Sequence, residues 1–246
     1  PPSTLLAQIF LNLVALIVGA FLFVKWRRLD VADRKIVWDS YGRFTAVVCC
    51  TSIVAALQDI AFMNASAAFF LEVSLPLEPA SRSQLVDVAQ SNSEVAGWLA
   101  AAMVLDSVQT FLSSTSRFLV IVRLMEFALA RTGLDLERSF EGIRRVSLLI
   151  LSLLCVCGIV GSAVAATYFS KAGYCYQEAA AAIRTNSDDS ETLAIAASNR
   201  GLAYELSAHD AINVGYFSTV AVHVLLLLCY AIAGTFCYKR FKAHPV

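Results

Sequence analysis

Five long apolar runs alternate with charged segments along this chain of 246 residues. Each run is long enough to cross a hydrocarbon core of about 30 Å, which takes about 20 helical residues. The apolar residues are continuous rather than alternating, which favours helices over the strands of a β-barrel. The pattern therefore predicts an all-α integral membrane protein with five transmembrane helices, at Thr4–Val24, Phe44–Met63, Trp98–Ala130, Val146–Phe169 and Ala211–Tyr238.

The composition agrees with a membrane protein and excludes an ordinary soluble domain. Of the residues, 58% are hydrophobic and 15% are charged, and the mean hydropathy is +0.67. Charged residues make up about 25% of a typical soluble domain. The chain begins at Pro1-Pro2, without an initiator Met and without a cleavage site after the first apolar run. We therefore expect a fragment of a longer protein.

The basic residues are concentrated in three of the segments that flank the apolar runs. Residues 25–43, 123–145 and 239–242 together contain 14 Lys and Arg, whereas residues 59–94 and 171–210 contain four. Positively charged residues accumulate in the cytosolic loops of membrane proteins. We therefore expect the N-terminus of this chain outside and the C-terminus in the cytosol, which an odd number of spans satisfies.

The third span carries polar and charged side chains along one helical face. Asp106, Thr110, Ser113 and Arg117 follow each other at spacings of 4, 3 and 4 residues, which places them on one side of a helix. Asp106 and Arg117 are about 16 Å apart along the axis, so they cannot pair directly. This stripe, with Arg123 beyond it, is either a gating element or a packing element. We favour packing, because the two Arg are six residues apart, unlike the every-third-residue array of a strong voltage sensor.

An amphipathic segment, residues 131–145, joins the third span to the fourth. Its apolar positions Leu134, Phe140 and Ile143 lie among Arg, Asp and Glu residues. The segment predicts a helix on the inner membrane surface. A solvated loop with a charged face is the alternative, which the clustering of basic residues against the next span disfavours.

Two outer segments carry further candidate sites. Residues 171–210 are too long for a simple connector, and we expect them to dip back between the last two spans as a pore helix. Asn64-Ala65-Ser66 is a glycosylation sequon on the predicted outer face. Because Asn64 directly follows the second span, an unmodified sequon is at least as well supported.

The sequence contains no arrangement of residues that predicts an enzyme. It has no His-x-x-x-His pair, no G-x-S-x-G motif and no phosphate-binding loop. Six of the seven cysteines lie in the apolar runs as small hydrophobic residues. We therefore expect no catalytic residue, no metal site, no cofactor and no nucleic-acid partner.

The order of spans and the motifs within them resemble the second to sixth transmembrane helices of the polycystin family of transient-receptor-potential-like cation channels. RLMEF at Arg123–Phe127 resembles the end of the fourth helix of that family, and the segment 131–145 resembles its four-to-five linker. Leu148–Phe169 and Tyr216–Phe241 resemble the fifth and sixth helices, and Trp38-Asp39 lies where the family has Trp-Asn.

The resemblance implies a division of the chain and a set of partners. Residues 1–130 would form voltage-sensor-like helices, residues 131–145 the linker, and residues 146–246 a pore-type domain with two spans and an outer re-entrant loop. The implied partners are the lipid bilayer, other polycystin-like subunits in a heterotetramer, and extracellular or ciliary proteins. The implied location is a plasma or ciliary membrane.

Departures from the family pattern favour a regulatory subunit of the polycystin-1 type. The Leu-Gly-Asp cation filter of the family has no counterpart here, since the corresponding residues are Ser198, Asn199, Arg200 and Gly201. An Arg at this position repels cations. The calcium site of the family uses two acids on its second helix and polar residues on its third. The matching part of the first span is Gly19-Ala20-Phe21, and Gly42 follows Asp39, so the resemblance implies that this site is absent.

His223 lies in the middle of the span that would line the pore. It is either a pore-lining residue or a neutral His with a hydrogen bond inside the bundle. The alternative to a channel is a structural or anchoring membrane subunit of a large complex.

Overall fold

The computed structural model describes residues 2–37, 42–73, 82–129, 134–185 and 189–243, and these are almost entirely helical. The six helices are α1 (Pro2–Arg27), α2 (Val31–Val37), α3 (Arg43–Val73), α4 (Arg82–Leu129), α5 (Leu134–Thr185) and α6 (Ser190–Ala243). All except α2 are long and apolar enough to cross a membrane. The predicted helical class and the number of five apolar spans are confirmed, and they indicate a membrane-embedded protein.

The last three helices are much longer than a membrane span requires. α4, α5 and α6 contain 48, 52 and 54 residues, so each is about 70–80 Å long at 1.5 Å per residue. The hydrocarbon core is about 30 Å thick. These helices are uninterrupted because the chain has no Pro between residues 80 and 244, and Pro is the residue that most strongly breaks a helix.

Residues 171–185 and 190–210 of the predicted outer re-entrant loop are helical, and their position relative to a membrane stays a prediction. α5 continues through residue 185 and α6 begins at residue 190. The four consecutive alanines at 179–182 are strong helix formers, so the segment prolongs both spans as a helical hairpin. Residues 134–145 of the predicted surface linker form the first turns of α5, without a break before the following span.

The five long helices pack as an antiparallel row in which each contacts the next. α1 packs on α3, α3 on α4, α4 on α5 and α5 on α6, and α6 also contacts α4. Among the described residues, α3 contacts neither α5 nor α6. The fold is therefore a three-helix unit of α4, α5 and α6, with α3 and then α1 attached on one side.

Small residues form most of the interior. Alanines are completely buried at all three helices of the unit, whereas the only large fully buried side chains among the described residues are Phe169, Val222 and Leu226. Many Leu, Val, Ile and Phe side chains are exposed instead. Small residues allow helix backbones to approach closely in membranes, where lipid covers the larger apolar side chains.

The part of the three-helix unit that carries the α5–α6 turn is here called the hairpin end, and it comprises residues 82–97, 171–185 and 190–204. Its core contains Val86, Ala89, Ala179, Ala180 and Ala197. Arg82 Nε donates a hydrogen bond to the Ile183 carbonyl and so joins α4 to the end of α5. The hairpin end is therefore a packed helical bundle.

Aromatic rings surround a lysine where the hairpin end meets the rest of the unit. The rings of Tyr168 and Tyr204 are stacked with centroids 6.2 Å apart. Lys171 Nζ lies 5.8 Å from the first ring and 5.7 Å from the second. Tyr and Lys are typical of a membrane–water interface, so this level is suited to the boundary between lipid and water.

Candidate functional site: a polar cluster within the spans

Asp106 is the centre of a polar cluster that joins three apolar helices. Its Oδ1 accepts a hydrogen bond of 3.1 Å from Gln58 Nε2 on α3. Its Oδ2 accepts a hydrogen bond of 2.9 Å from Ser162 Oγ on α5. Both carboxylate oxygens are therefore bound, one on each side of α4. A carboxylate held in this way is a tether between helices, because polar pairs between membrane helices strengthen their packing.

A second contact between α4 and α5 lies beside Asp106. Ser107 Oγ is 3.1 Å from the Met103 carbonyl and 3.5 Å from the Ile159 carbonyl. The hydroxyl therefore shares its proton between its own helix and the neighbouring one, with the stronger bond to α4. Together with the Asp106–Ser162 bond, this contact fixes the register of α4 against α5.

Glycines bring α5 and α6 into backbone contact beside Ser162. A Cβ atom at Gly161 would lie 2.8 Å from the Gly215 nitrogen and 3.1 Å from the Ala211 carbonyl oxygen. No real Cβ atom is accommodated at such a distance from backbone, which cannot rotate away as a side chain can. The close approach explains why a Gly is required at position 161.

Three buried polar atoms near the cluster have no hydrogen-bond partner among the described residues. They are Asn12 Nδ2 on α1, Asp59 Oδ2 on α3 and Gln109 Oε1 on α4. Asp59 itself is only 6% exposed. An unpaired polar group in an apolar interior costs free energy, so these side chains are candidates for a functional rather than a purely structural role.

The contacts between helices place these three side chains at one level of the row. Gly19 of α1 lies against Cys49 of α3, and the two helices are antiparallel. Asn12, seven residues before Gly19, therefore lies at the same level as Ala56, seven residues after Cys49. Gln58 faces Asp106 in the same way across α3 and α4. Asn12, Asp59 and Gln109 therefore lie within about 6 Å of each other along the axis.

The residues of the predicted polar stripe, Asp106, Arg117 and Arg123, differ in the contacts that the structure shows for them. Asp106 bonds to α3 and α5, as described above. Arg117 is half-buried, and its carbonyl accepts a hydrogen bond of 3.0 Å from the Tyr230 hydroxyl on α6. The Arg123 side chain lies outside the described residues. The side-chain bonds of Asp106 support a packing role at that position, whereas the Arg117 contact is made by its backbone and leaves the role of its side chain a prediction.

The predicted filter residues Ser198, Asn199, Arg200 and Gly201 lie in α6 rather than in a loop. Arg200 forms an ion pair of 3.1 Å with Glu178 on α5. Gly201 is buried, and a Cβ atom there would lie 2.9 Å from the Tyr176 ring. This segment therefore packs along α5 at the hairpin end.

His223 is half-buried in α6, and its Nδ1 lies 2.7 Å from the Thr219 carbonyl oxygen. A carbonyl oxygen only accepts, so this contact requires the proton on Nδ1. It corresponds to the interpretation of His223 as a hydrogen-bonded residue within the bundle. Whether His223 lines a pore in an assembly stays a prediction.

Asn64, the candidate for glycosylation, lies within α3 and not after it. Its Nδ2 donates a hydrogen bond of 3.0 Å to the Ile60 carbonyl one turn earlier. The amide that would carry a glycan is therefore engaged with the helix backbone. Its modification stays a prediction.

Sequence reasoning missed the partners of Asp106. Gln58 and Ser162 lie within apolar runs, and nothing in the sequence links them to Asp106, which is 48 and 56 residues away. The adjacent polar residues Gln58 and Asp59 are the feature of the sequence that could have indicated a polar contact on α3. Asp59 was counted with the outer segment 59–94, whereas the apolar part of α3 extends to Phe69.

Comparison with known proteins identifies no relative: no family model, no curated protein and no solved structure matches this chain.

Proposed function

We propose that this chain is a structural membrane subunit, without a conduction filter of its own, that associates with other chains through α6. The observation that carries the proposal is the continuous helical hairpin at residues 171–185 and 190–210. A selectivity filter built from backbone carbonyls needs non-helical backbone whose carbonyls face the ion path. Here the backbone of residues 198–201 is helical and Gly201 packs on Tyr176.

An exposed seam along α6 supports the proposed association. Its apolar members recur with the spacing of a heptad repeat, and all are exposed: Ile195, Leu202, Leu206, Tyr216, Val220 and Leu227. Asn199, His209 and Asn213 fill intervening positions of the same seam and are exposed too. Such a repeat favours a second helix packed alongside, and polar residues within it fix the register and the number of strands.

The part of the seam near the hairpin end gives the stronger support for association with other chains. Ile195, Leu202 and Leu206 are 55%, 52% and 61% exposed. Ile195 and Leu202 lie between Tyr204 and the start of α6, and Leu206 lies two residues beyond Tyr204. If Tyr168 and Tyr204 mark the lipid boundary, lipid does not cover this part of α6. Exposed apolar side chains in water favour a protein partner. With the charge bias of the sequence, this end would face the outside of a plasma membrane.

A regulatory subunit of a polycystin-like tetrameric cation channel is the second candidate. The observation that favours it is the position of His223, which continues the seam of α6 from Val220 to Leu227. In such a tetramer the last helices of the four chains line the central axis, as the resemblance implies. This chain would then contribute α6 to the assembly, while partner chains supply the filter.

Cysteine crosslinking tests the proposed association. With the native cysteines replaced, Leu202→Cys on the seam is compared with Leu193→Cys, which is 59% exposed but lies on the opposite side of α6. Oxidation in native membranes should join Leu202→Cys chains, or join them to a partner, and leave Leu193→Cys monomeric. Equal crosslinking of both variants, or of neither, would contradict the proposal.

Electrophysiology separates the two candidates. Arg200→Asp and His223→Ala are expressed with the partner chains that crosslinking identifies. A structural subunit predicts unchanged selectivity and conductance for both variants. A change in either quantity would favour the regulatory channel subunit instead.

A further inference from the structure

A large apolar groove separates α1 from α3 near the end of α1. Its volume is about 900 Å³, and the residues that line it include Leu16, Ala20, Phe23, Trp26, Phe44 and Cys49. This volume is at the upper end of the range for small-molecule sites in proteins. The groove involves neither α6 nor the polar cluster, so it is independent of the function proposed above.

The groove lies where α1 packs on α3. Gly19 packs directly against Cys49, whereas apolar side chains on the opposite face of α1 are exposed, among them Ile17 at 68% and Phe21 at 58%. In its apolar span, only 6% of the residues are buried. α1 is therefore covered by protein on one face only.

The end of the groove near Trp26 is basic. Lys25 lines it, with Nζ 5.0 Å from the centre of the Phe21 ring. The segment 25–43 that follows carries six Lys and Arg against three Asp. Trp26 Nε1 donates a hydrogen bond of 3.0 Å to the Arg34 carbonyl, which holds α2 and its basic residues next to this end.

We propose that this groove binds one anionic phospholipid, with its acyl chains between α1 and α3 and its phosphate at Lys25. The walls are apolar and open laterally, as acyl chains require, and the positive charge is confined to the end where the apolar lining stops. Basic pockets between membrane helices select anionic headgroups in this way. A zwitterionic lipid contacts the same apolar walls, but its headgroup is attracted less strongly to Lys25.

Native mass spectrometry of the purified full chain tests this proposal with dioleoyl phosphatidylglycerol and dioleoyl phosphatidylcholine as probes. The chain should retain one phosphatidylglycerol in preference to phosphatidylcholine. Lys25→Gln should weaken phosphatidylglycerol binding about fivefold, and the matched variant Lys171→Gln at the other end of the fold should leave it unchanged. Equal retention of the two lipids, or equal effects of the two Lys variants, would overturn the proposal.

A groove-filling variant tests the site of the acyl chains. Ala20→Trp places an indole in the groove and should abolish retention of either lipid at this site. Ala221→Trp, on the exposed side of α6, is the matched control and should retain the lipid. The helical circular dichroism of both variants should match that of the unsubstituted chain. Undiminished lipid retention by Ala20→Trp, or release of a bound polypeptide instead of a lipid, would show that the groove has another occupant.

Discussion

The contact between α5 and α6 and the contact between α1 and α3 both depend on a glycine, but they differ in what faces it. Gly161 faces the backbone of Gly215 and Ala211, whereas Gly19 faces the side-chain sulfur of Cys49. The first contact continues into a buried seam of small residues, and the second opens into a groove of about 900 Å³.

This difference shows how the two parts of the fold are stabilised. Between α5 and α6 the backbones fit each other directly, so protein contacts alone determine the geometry. Between α1 and α3 the fit is incomplete, so lipid must supply part of the packing. The four substitutions below test this contrast, from the largest expected effect to the smallest.

Gly161→Leu should destabilise the chain most, by about 3 kcal/mol, because a side chain there meets backbone that cannot move without separating α6 from α5. Gly97→Leu is the matched control, since a Cβ atom at Gly97 has nothing within 4 Å. The free energy of unfolding in detergent micelles measures both. Similar stability of the two variants would contradict the close fit of α5 and α6.

Asp106→Ala should cost about 2 kcal/mol, because Gln58 and Ser162 are left as donors without their acceptor. Asp106→Asn should cost less, since its amide oxygen still accepts one of the two hydrogen bonds. The same unfolding measurement applies. If the two variants are equally destabilised, the contribution of Asp106 does not come from these hydrogen bonds.

Gly19→Ala should change the free energy of unfolding by less than about 1 kcal/mol. The Cys49 side chain can rotate away from the new methyl group, and Ala favours the helix over Gly by about 0.5–1 kcal/mol. Gly161→Ala, by contrast, should be clearly destabilising. A larger loss at Gly19 than at Gly161 would reverse the contrast between the two contacts.

Arg200→Ala should have the smallest effect, about 0.5 kcal/mol, because the ion pair with Glu178 is exposed and exposed pairs contribute little. High salt should reduce even this difference, since salt screens surface charges. A loss above about 2 kcal/mol would mean that Arg200 supports the hairpin end by more than this pair.

The spans were predictable from the sequence, but their ends were not. Five runs of apolar residues specify five helices, because a helix is the segment that satisfies its own backbone in lipid. Hydropathy falls where a helix leaves the membrane, whether or not the helix continues. Hydropathy alone therefore does not indicate that residues 171–185 and 190–210 are helical.

The polar cluster was predictable in part. The spacing of Asp106 and Arg117 identified a polar face on α4, and intramembrane charge predicted that it faces protein. The bonds to Gln58 and Ser162 were not predictable, because they depend on the register of α4 against α3 and α5. Register is a property of packed pairs of helices and leaves no pattern in one of them alone.

The sequence by itself determined the helical class, the number of apolar spans and the positions of the polar residues within them, since these depend on local composition and period. Only the tertiary structure decided that residues 198–201 pack along α5, that Asp106 joins three helices, and that α1 packs on α3 beside an apolar groove that Lys25 helps to line. These features depend on which faces meet and how closely two backbones approach, and those are set by pairs of helices rather than by single residues.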